Sequence, residues 1–380
     1  MKNIACLLAG LLLKSAALAG GSVTIPLQIC PYGSNFYCIQ VVGDSFQQLP
    51  PLARFDSGSS SLSVPESCLN PKKITVIQRN VINYFGQLSD VVKGDISLKT
   101  ATGQLITVSG MYFFALKNRD CVSTENVNFG AFQLPTVVKT EDKESCLANF
   151  FTLYNYANNT AGVPFGYTLL GNESHAPYLL LGPIENAAPA QQMLRSPHRI
   201  CSGVNSLNLF QGAASKSIRW RGPSVPGFDI SINQVNVPPT ALYKPSSDPL
   251  MADHKVGMID SGGGSLIIHD DADLTITKAI NAKEVVLSAA NCDNSTGWLS
   301  QCQCLASGVE VTVKNDPLNI QYSYASTRYE GDPRRSVMVC APNKARASAF
   351  NAANLGYQLF NNYNVSFDYA LGRILFEPEF

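Results

Sequence analysis

Apolar and polar residues alternate along this chain over short stretches, and turn-forming residues interrupt each stretch before a helical repeat develops. Such segments run from Tyr37 to Val42, Gln104 to Val108, Met111 to Leu116, Tyr178 to Leu181 and Val309 to Val313. Gly, Pro, Asn and Asp bound them, as expected of strands. Two more, Tyr363 to Phe367 and Ile374 to Phe376, flank Ala370-Leu371-Gly372-Arg373, which suits the turn of a hairpin. Helical spacing is clearest from Asp271 to Ala282, where Leu274, Ile276 and Ile280 share a face behind acidic residues that favour a helix N-terminus. The expected fold class is mainly β with a few short helices. Proline-containing stretches from Pro183 to Pro197 and from Pro238 to Pro249 read as a linker between halves and a surface loop.

The N-terminus departs from this pattern. Lys2 precedes a mostly apolar run from Ile4 to Leu13, and Ala17-Leu18-Ala19 supplies small residues around a cleavage point, so residues 1–19 are expected to be an export signal. The protein is then secreted or periplasmic. No later stretch approaches the roughly 18 apolar residues of a membrane span, so no membrane span is expected. Of the 11 cysteines, Cys6 leaves with the signal, and an even number remains. In an exported chain this predicts disulfides, with the pairing open. Metal ligation is the competing use. Cys302-Gln303-Cys304 has one intervening residue rather than two, and His175, His198, His254 and His269 have no ligand spacing, so neither metal nor cofactor is expected.

Length and charge narrow the picture further. At 380 residues the chain suits two domains or one bilobal unit with a large core. Its 28 basic and 28 acidic residues cancel, and no basic stripe marks nucleic acid as a partner.

Candidate chemistry lies in a repeated motif. Leu52-Ala53-Arg54-Phe55-Asp56-Ser57-Gly58 continues into Ser59-Ser60-Ser61-Leu62, and Val256-Gly257-Met258-Ile259-Asp260-Ser261-Gly262 continues into Gly263-Gly264-Ser265-Leu266. Each copy sets an apolar residue before Asp-Ser-Gly and a Leu four positions after the Gly. Two unrelated Ser-Gly turns, each with an Asp bonding its own backbone, would carry the same residues. Paired carboxylates explain the repetition differently. Two within hydrogen-bonding range cannot both ionise cheaply, so they share a proton. One can then act as base on water while the other donates. Each Gly permits a tight turn and close approach.

These motifs resemble the paired Asp-Thr/Ser-Gly loops of the pepsin family. The likeness extends to Phe36-Tyr37-Cys38-Ile39-Gln40-Val41-Val42-Gly43 near the start. Near the end it includes Asn354-Leu355-Gly356-Tyr357-Gln358-Leu359-Phe360, Tyr363 to Asp368 and Gly372 to Phe376. The resemblance implies a bilobal acid-protease fold, with an N-terminal lobe over residues 20–190 and a C-terminal lobe over 191–380. It further implies a monomeric aspartic endopeptidase active at acid pH, with Asp56 and Asp260 catalytic in a cleft between the lobes. A polypeptide substrate would bind extended, and pepstatin-like inhibitors would compete. By the same resemblance Ser57 and Ser261 brace the two loops with Gly58 and Gly262, Ser59 bonds the outer oxygen of Asp56, and Tyr84 tips a flap over the substrate.

Several positions depart from the family pattern. Gly263 stands where a hydroxyl usually supports the second Asp, leaving Ser265 or water to replace it, and Gly263→Ser is expected to preserve or raise activity. Phe85 and Gln87 replace flap glycines, Ser63 replaces a tryptophan, and Arg54 sits at an apolar position. Val127 to Phe132 is the nearest candidate for the first lobe's apolar-Gly segment. A scaffold that binds a peptide, glycan or protein without cleaving it is the alternative reading. Gly43-Asp44-Ser45 resembles the nucleophile block of SGNH hydrolases, but no histidine follows His269. No Gly-x-Ser-x-Gly elbow surrounds either Asp-Ser-Gly, and Gly262-Gly263-Gly264 lacks the Lys-Ser/Thr of a phosphate loop.

Overall fold

Burial explains why the short segments become strands. Tyr37–Val42 forms a strand over its predicted bounds, with every residue but Gln40 and Val42 buried. Leu62–Pro65 is buried along its whole length, as expected of a strand covered on both faces. In a computed structural model of the chain, the described residues are 23–31, 36–47, 52–59, 61–83, 87–121, 127–130, 137–140, 143–146, 166–170, 176–182, 184, 190–192, 224–225, 227–237, 257–263, 266–270, 273, 275–281, 287–288, 299–326, 337–342, 353–368 and 373–378. The predicted export signal, Tyr84 as the implied flap tip, Ser265 and the predicted loop from Pro238 to Pro249 lie outside them.

One strand arrangement occurs twice. In the first half Leu52–Asp56 runs parallel to Asn128–Gly130, which pairs antiparallel with Leu62–Pro65, which in turn runs parallel to Leu105–Leu116. In the second half Gly257–Met258 runs parallel to Ala353–Asn354, which pairs antiparallel with Leu266–His269, which runs parallel to Val337–Pro342. A late strand is thus inserted between the two strands that flank each Asp-Ser-Gly turn. The registers match as well: Arg54 lies opposite Asn128, and Met258 lies opposite Asn354. The nearest candidate from Val127 to Phe132 therefore supplies the inserted strand of the first half.

The halves are joined by a shared sheet. Its order brings Ala190–Gln192, Arg373–Pro378, Tyr363–Asp368, Gly166–Leu170, Tyr178–Gly182 and Val23–Ile29 side by side. Strands from both ends of the chain thus share one sheet. Phe55, Leu62, Phe113 and Phe129 from the first half and Ile259, Leu266, Val339 and Leu355 from the second are fully buried in one continuous core. At about 1.5–3 kcal/mol for each buried large apolar side chain, this core outweighs any single hydrogen bond in positioning the two turns.

Other expectations shift in detail. Gln104 to Val108 and Met111 to Leu116 merge into one strand, Leu105–Leu116. Ser109 and Gly110 are absorbed as an irregularity opposite Asp95, whose carboxylate accepts the Gly110 N–H at 2.9 Å. Part of the predicted linker is a strand, Ala190–Gln192, because its backbone pairs with Arg373–Leu375. The helix spans Thr275–Asn281, and the Asp270 carboxylate accepts the Ile276 and Thr277 N–H groups at 2.8 and 2.9 Å. Disulfides join Cys30 to Cys38, Cys68 to Cys121 and Cys302 to Cys340, and Cys304 is also disulfide-bonded. The Cys302-Gln303-Cys304 pair is thereby committed to covalent bridges. Among the described residues no helix is long and apolar enough to cross a membrane.

Candidate active site

Asp56 ends the Leu52–Asp56 strand, and Asp260 follows Gly257–Met258 by two residues. Each Asp closes the same turn. The Gly58 N–H donates to Asp56 Oδ1 at 2.9 Å and the Ser59 N–H to the Asp56 carbonyl at 3.2 Å. In the second loop the Gly262 N–H donates to Asp260 Oδ1 at 2.9 Å and the Gly263 N–H to the Asp260 carbonyl at 3.2 Å. The bland alternative, an Asp bonding its own turn, is therefore physically present in both copies. It does not exclude the paired reading, because the two turns also face each other.

Their contact is reciprocal. The Ser57 N–H donates to Ser261 Oγ at 3.0 Å and the Ser261 N–H to Ser57 Oγ at 2.9 Å. Each hydroxyl then donates to the residue before the opposite Asp: Ser57 Oγ to the Ile259 carbonyl at 2.8 Å, and Ser261 Oγ to the Phe55 carbonyl at 2.9 Å. Both serines are fully buried, where hydrogen-bonded loops are held rigidly. The glycines complete the approach. A Cβ on Gly58 would lie 2.6 Å from the Asp260 carboxyl carbon, and one on Gly262 would collide with the Asp56 carboxyl. Each carboxylate therefore rests on the glycine of the other turn.

The pair is nearly enclosed, with Asp56 at 5% and Asp260 at 8% exposure. Burial pushes the Asp56 carboxyl well above its usual range, and the adjacent Asp260 charge and hydrogen bond reinforce the shift. Arg54 opposes it. This unexpected arginine lies 5.1 Å above the Phe36 ring and donates from Nε to Asn128 Oδ1 at 3.3 Å, so its chain stays packed while its charge remains near the pair.

The fold has the bilobal character that the sequence implied, and comparison with solved structures supports it. The chain is similar to a crystal structure of basic 7S globulin from soybean, with a TM-score of 0.52 and 12% identity over 94% of this chain and 95% of that one. It is also similar to a crystal structure of EDGP, with a TM-score of 0.53 and 11% identity over 95% of each chain. No family model and no curated protein sequence matches it. The fold is pepsin-like and mainly β.

The remaining predicted positions divide. The implied hydrogen bond from Ser59 to Asp56 is not made: Ser59 Oγ is buried without a partner among the described residues, and its backbone packs against Gly130. Ser63 is also buried, with an unpartnered hydroxyl among those residues. Between the Thr75–Ile82 and Leu88–Lys99 strands, Asn83 and Gln87 bond to each other. The Asn83 N–H donates to the Gln87 carbonyl at 2.9 Å, the Gln87 N–H to Asn83 Oδ1 at 2.9 Å and Asn83 Nδ2 to Gln87 Oε1 at 3.1 Å. Gln87, a departure from the family pattern, thus has a structural use of its own. Ser45 is buried, and its hydroxyl accepts the Asp95 N–H at 2.6 Å, which gives it a structural use in place of a nucleophilic one.

Sequence reasoning missed Asn354. Its Nδ2 donates to Asp260 Oδ2 at 2.6 Å, filling the place left by the absent hydroxyl at position 263. A Cβ on Gly263 would lie 3.0 Å from both Asn354 Oδ1 and Asp260 Oδ2. A side chain at position 263 would therefore need this amide or the Asp260 carboxylate to give by a few tenths of an ångström, which bears directly on the expected effect of Gly263→Ser. The available signal was the repeated Asn-apolar-Gly of Asn128-Phe129-Gly130 and Asn354-Leu355-Gly356.

Proposed function

We propose that this chain is an exported aspartic endopeptidase of the pepsin family, in which Asp56 and Asp260 activate one water between them. The observation that carries the reading is the reciprocal Ser57–Ser261 brace, which sets two carboxylates side by side in a buried site. One protonated and one ionised carboxyl can take a proton from water and give one to a peptide carbonyl, forming a tetrahedral diol without metal or covalent intermediate. Proton transfer to the amide nitrogen then releases the two products. The disulfides and the predicted export signal support an extracytoplasmic site, and a single extended polypeptide is the substrate class.

A second reading is a pepsin-like scaffold that holds a peptide, glycan or protein in the cleft without cleaving it. The unpartnered Ser59 hydroxyl favours it. So does the likeness to the soybean structure, whose name is that of a globulin rather than a peptidase. The comparisons lean toward this second reading, and the intact pair of carboxylates leans toward the first.

Hydrolysis of denatured haemoglobin or casein between pH 2 and 7, with and without pepstatin, separates the two. Pepstatin-sensitive cleavage in acid, unaffected by EDTA and lost in Asp56→Asn and Asp260→Asn, supports the peptidase. No cleavage by folded protein across that range sinks it in favour of the binding scaffold.

A further inference from the structure

The two carboxylates are held unequally. Asp260 receives the Gly262 N–H on Oδ1 at 2.9 Å and the Asn354 amide on Oδ2 at 2.6 Å. The direction of the second bond is fixed by Asn354's other end, where Oδ1 accepts the Gly356 N–H at 3.0 Å. Turning the amide over would set its oxygen against a carboxylate and its NH2 against an N–H. An amide NH2 can only donate, so the Asp260 oxygen facing it must present a lone pair. A serine or threonine hydroxyl at position 263 would impose no such polarity, because it can donate or accept.

Among the described residues Asp56 has no equivalent side-chain amide, and its carboxylate accepts the Gly58 N–H. The counterpart of Asn354 in the strand register is Asn128, whose Oδ1 is taken by Arg54 at 3.3 Å. Its Nδ2 is buried without a partner among the described residues, as is the Ser59 hydroxyl.

We propose that Asn354 is a positioning residue that sets the polarity of the pair, holding Asp260 as the ionised member and leaving the shared proton on Asp56. This rests on the peptidase reading for its consequence in catalysis. The water oxygen bonds to the peptide carbon while its proton passes to Asp260. The C=O π pair moves onto the carbonyl oxygen and takes the proton of Asp56, leaving a C–O single bond and a neutral diol. The charged groups facing Asp56 are Asp260 and Arg54. The upward push on Asp56 from burial and from Asp260 acts in the direction the proposal requires.

The test begins with carboxyl-carbon NMR of protein labelled at aspartate, at a pH where the pair holds one proton. The expected result is an Asp56 signal at the position of an acid and an Asp260 signal at that of a carboxylate, with Asn354→Leu drawing the two together. A proton on Asp260 in the wild type, or an unchanged pair of signals in folded Asn354→Leu, overturns the proposal. If that variant does not fold, the wild-type spectrum still decides.

Kinetics supply the second arm. Asn354→Leu should lower kcat about 10- to 100-fold, as expected for loss of a hydrogen bond to a charged group, with KM little changed and the acid limb of the pH profile displaced. Gly263→Ser alone should lose activity through crowding, whereas Gly263→Ser in an Asn354→Ala background should recover it relative to Asn354→Ala. Failure of that rescue, with both proteins folded, counts against the proposal. The NMR arm needs no turnover, so protein with the expected polarity and no cleavage overturns only the peptidase reading. Cleavage with the proton on Asp260 overturns only this inference.

Discussion

Ser57 and Ser261 each accept the other's backbone N–H, at 2.9 and 3.0 Å, and each passes its own proton to a backbone carbonyl of the opposite loop. Removing either hydroxyl leaves one donor and one acceptor unpaired in a fully buried place. Unsatisfied buried groups cost about 1–3 kcal/mol each, so Ser57→Ala and Ser261→Ala should each lose roughly 2–6 kcal/mol in urea unfolding. The double variant should lose less than the sum, because both serines serve one network. Ser→Thr at either site keeps the hydroxyl and should cost far less. Full additivity would mean the loops are not braced by this pair.

Gly58 and Gly262 should be intolerant of alanine for a different reason. A Cβ at Gly58 reaches 2.6 Å from the Asp260 carboxyl carbon, and one at Gly262 strikes the Asp56 carboxyl. Neither neighbour is a flexible tip, since each carboxylate is tethered by its own turn. Gly58→Ala and Gly262→Ala should therefore push the loops apart, cost about 1–3 kcal/mol as overpacking does, and abolish any hydrolysis. Gly103 and Gly308 provide the comparison. Both adopt positive φ, at 83°, but a Cβ would meet nothing within 4 Å, so alanine there should cost roughly 1 kcal/mol and leave function intact. Equal loss of function in all four variants would remove the steric explanation.

The Asp-Ser-Gly turns were legible because two tight turns that pack against each other need short residues in a fixed local order. The Tyr37–Val42 strand was legible because only Gln40 interrupts its apolar residues and turn-forming residues bound it. Asn354 was not, since an Asn before Leu-Gly reads as an ordinary turn until the strand is placed between two others, next to Asp260. Ala190–Gln192 was missed for a similar reason: its partner, Arg373–Leu375, lies at the far end of the chain, and no local pattern specifies so distant a pairing. Arg54 looked like a flaw in an apolar motif because the Phe36 ring and Asn128 that accommodate it lie elsewhere in the sequence.

Asp90 should make the hairpin of the Thr75–Ile82 and Leu88–Lys99 strands acid-sensitive. The carboxylate lies in the Leu88–Lys99 strand at 3% side-chain exposure, 2.9 Å from Lys117 Nζ and 3.5 Å from an Arg79 nitrogen. It also accepts the Asn80 N–H at 2.9 Å. Burial alone would raise it, but the Lys117 bond, the Asn80 N–H and the Arg79 charge outweigh that and hold it below the usual range. Its stabilisation is therefore present above the unfolded value of about 3.9 and disappears as pH falls through the lower folded value. Asp90→Asn should lose about 1–3 kcal/mol at pH 7 and less at pH 2, below the unfolded value of about 3.9. Hydrogen exchange of the 75–82 and 88–99 strands would localise the loss to the hairpin, and a variant equally weakened at both pH values would refute the assignment.

Asp56 should act on stability with the opposite sign. Burial and the neighbouring Asp260 raise its folded value above the unfolded one, with Arg54 opposing. Between those two values the folded chain holds a proton that the unfolded chain has released, so stability falls as pH rises. Its favourable contribution is complete below the unfolded value and is lost as pH climbs through the folded one. The slope inside that window is about 1.4 kcal/mol per pH unit. Asn at this position carries no titrating proton and nearly the same shape. Asp56→Asn should match the wild type in thermal unfolding near pH 3 and become progressively more stable than it toward neutrality, while losing all hydrolytic activity. If the variant is instead less stable than the wild type at pH 7 by as much as at pH 3, Asp56 is not a strained, buried acid, and the pairing with Asp260 would not be the source of its chemistry.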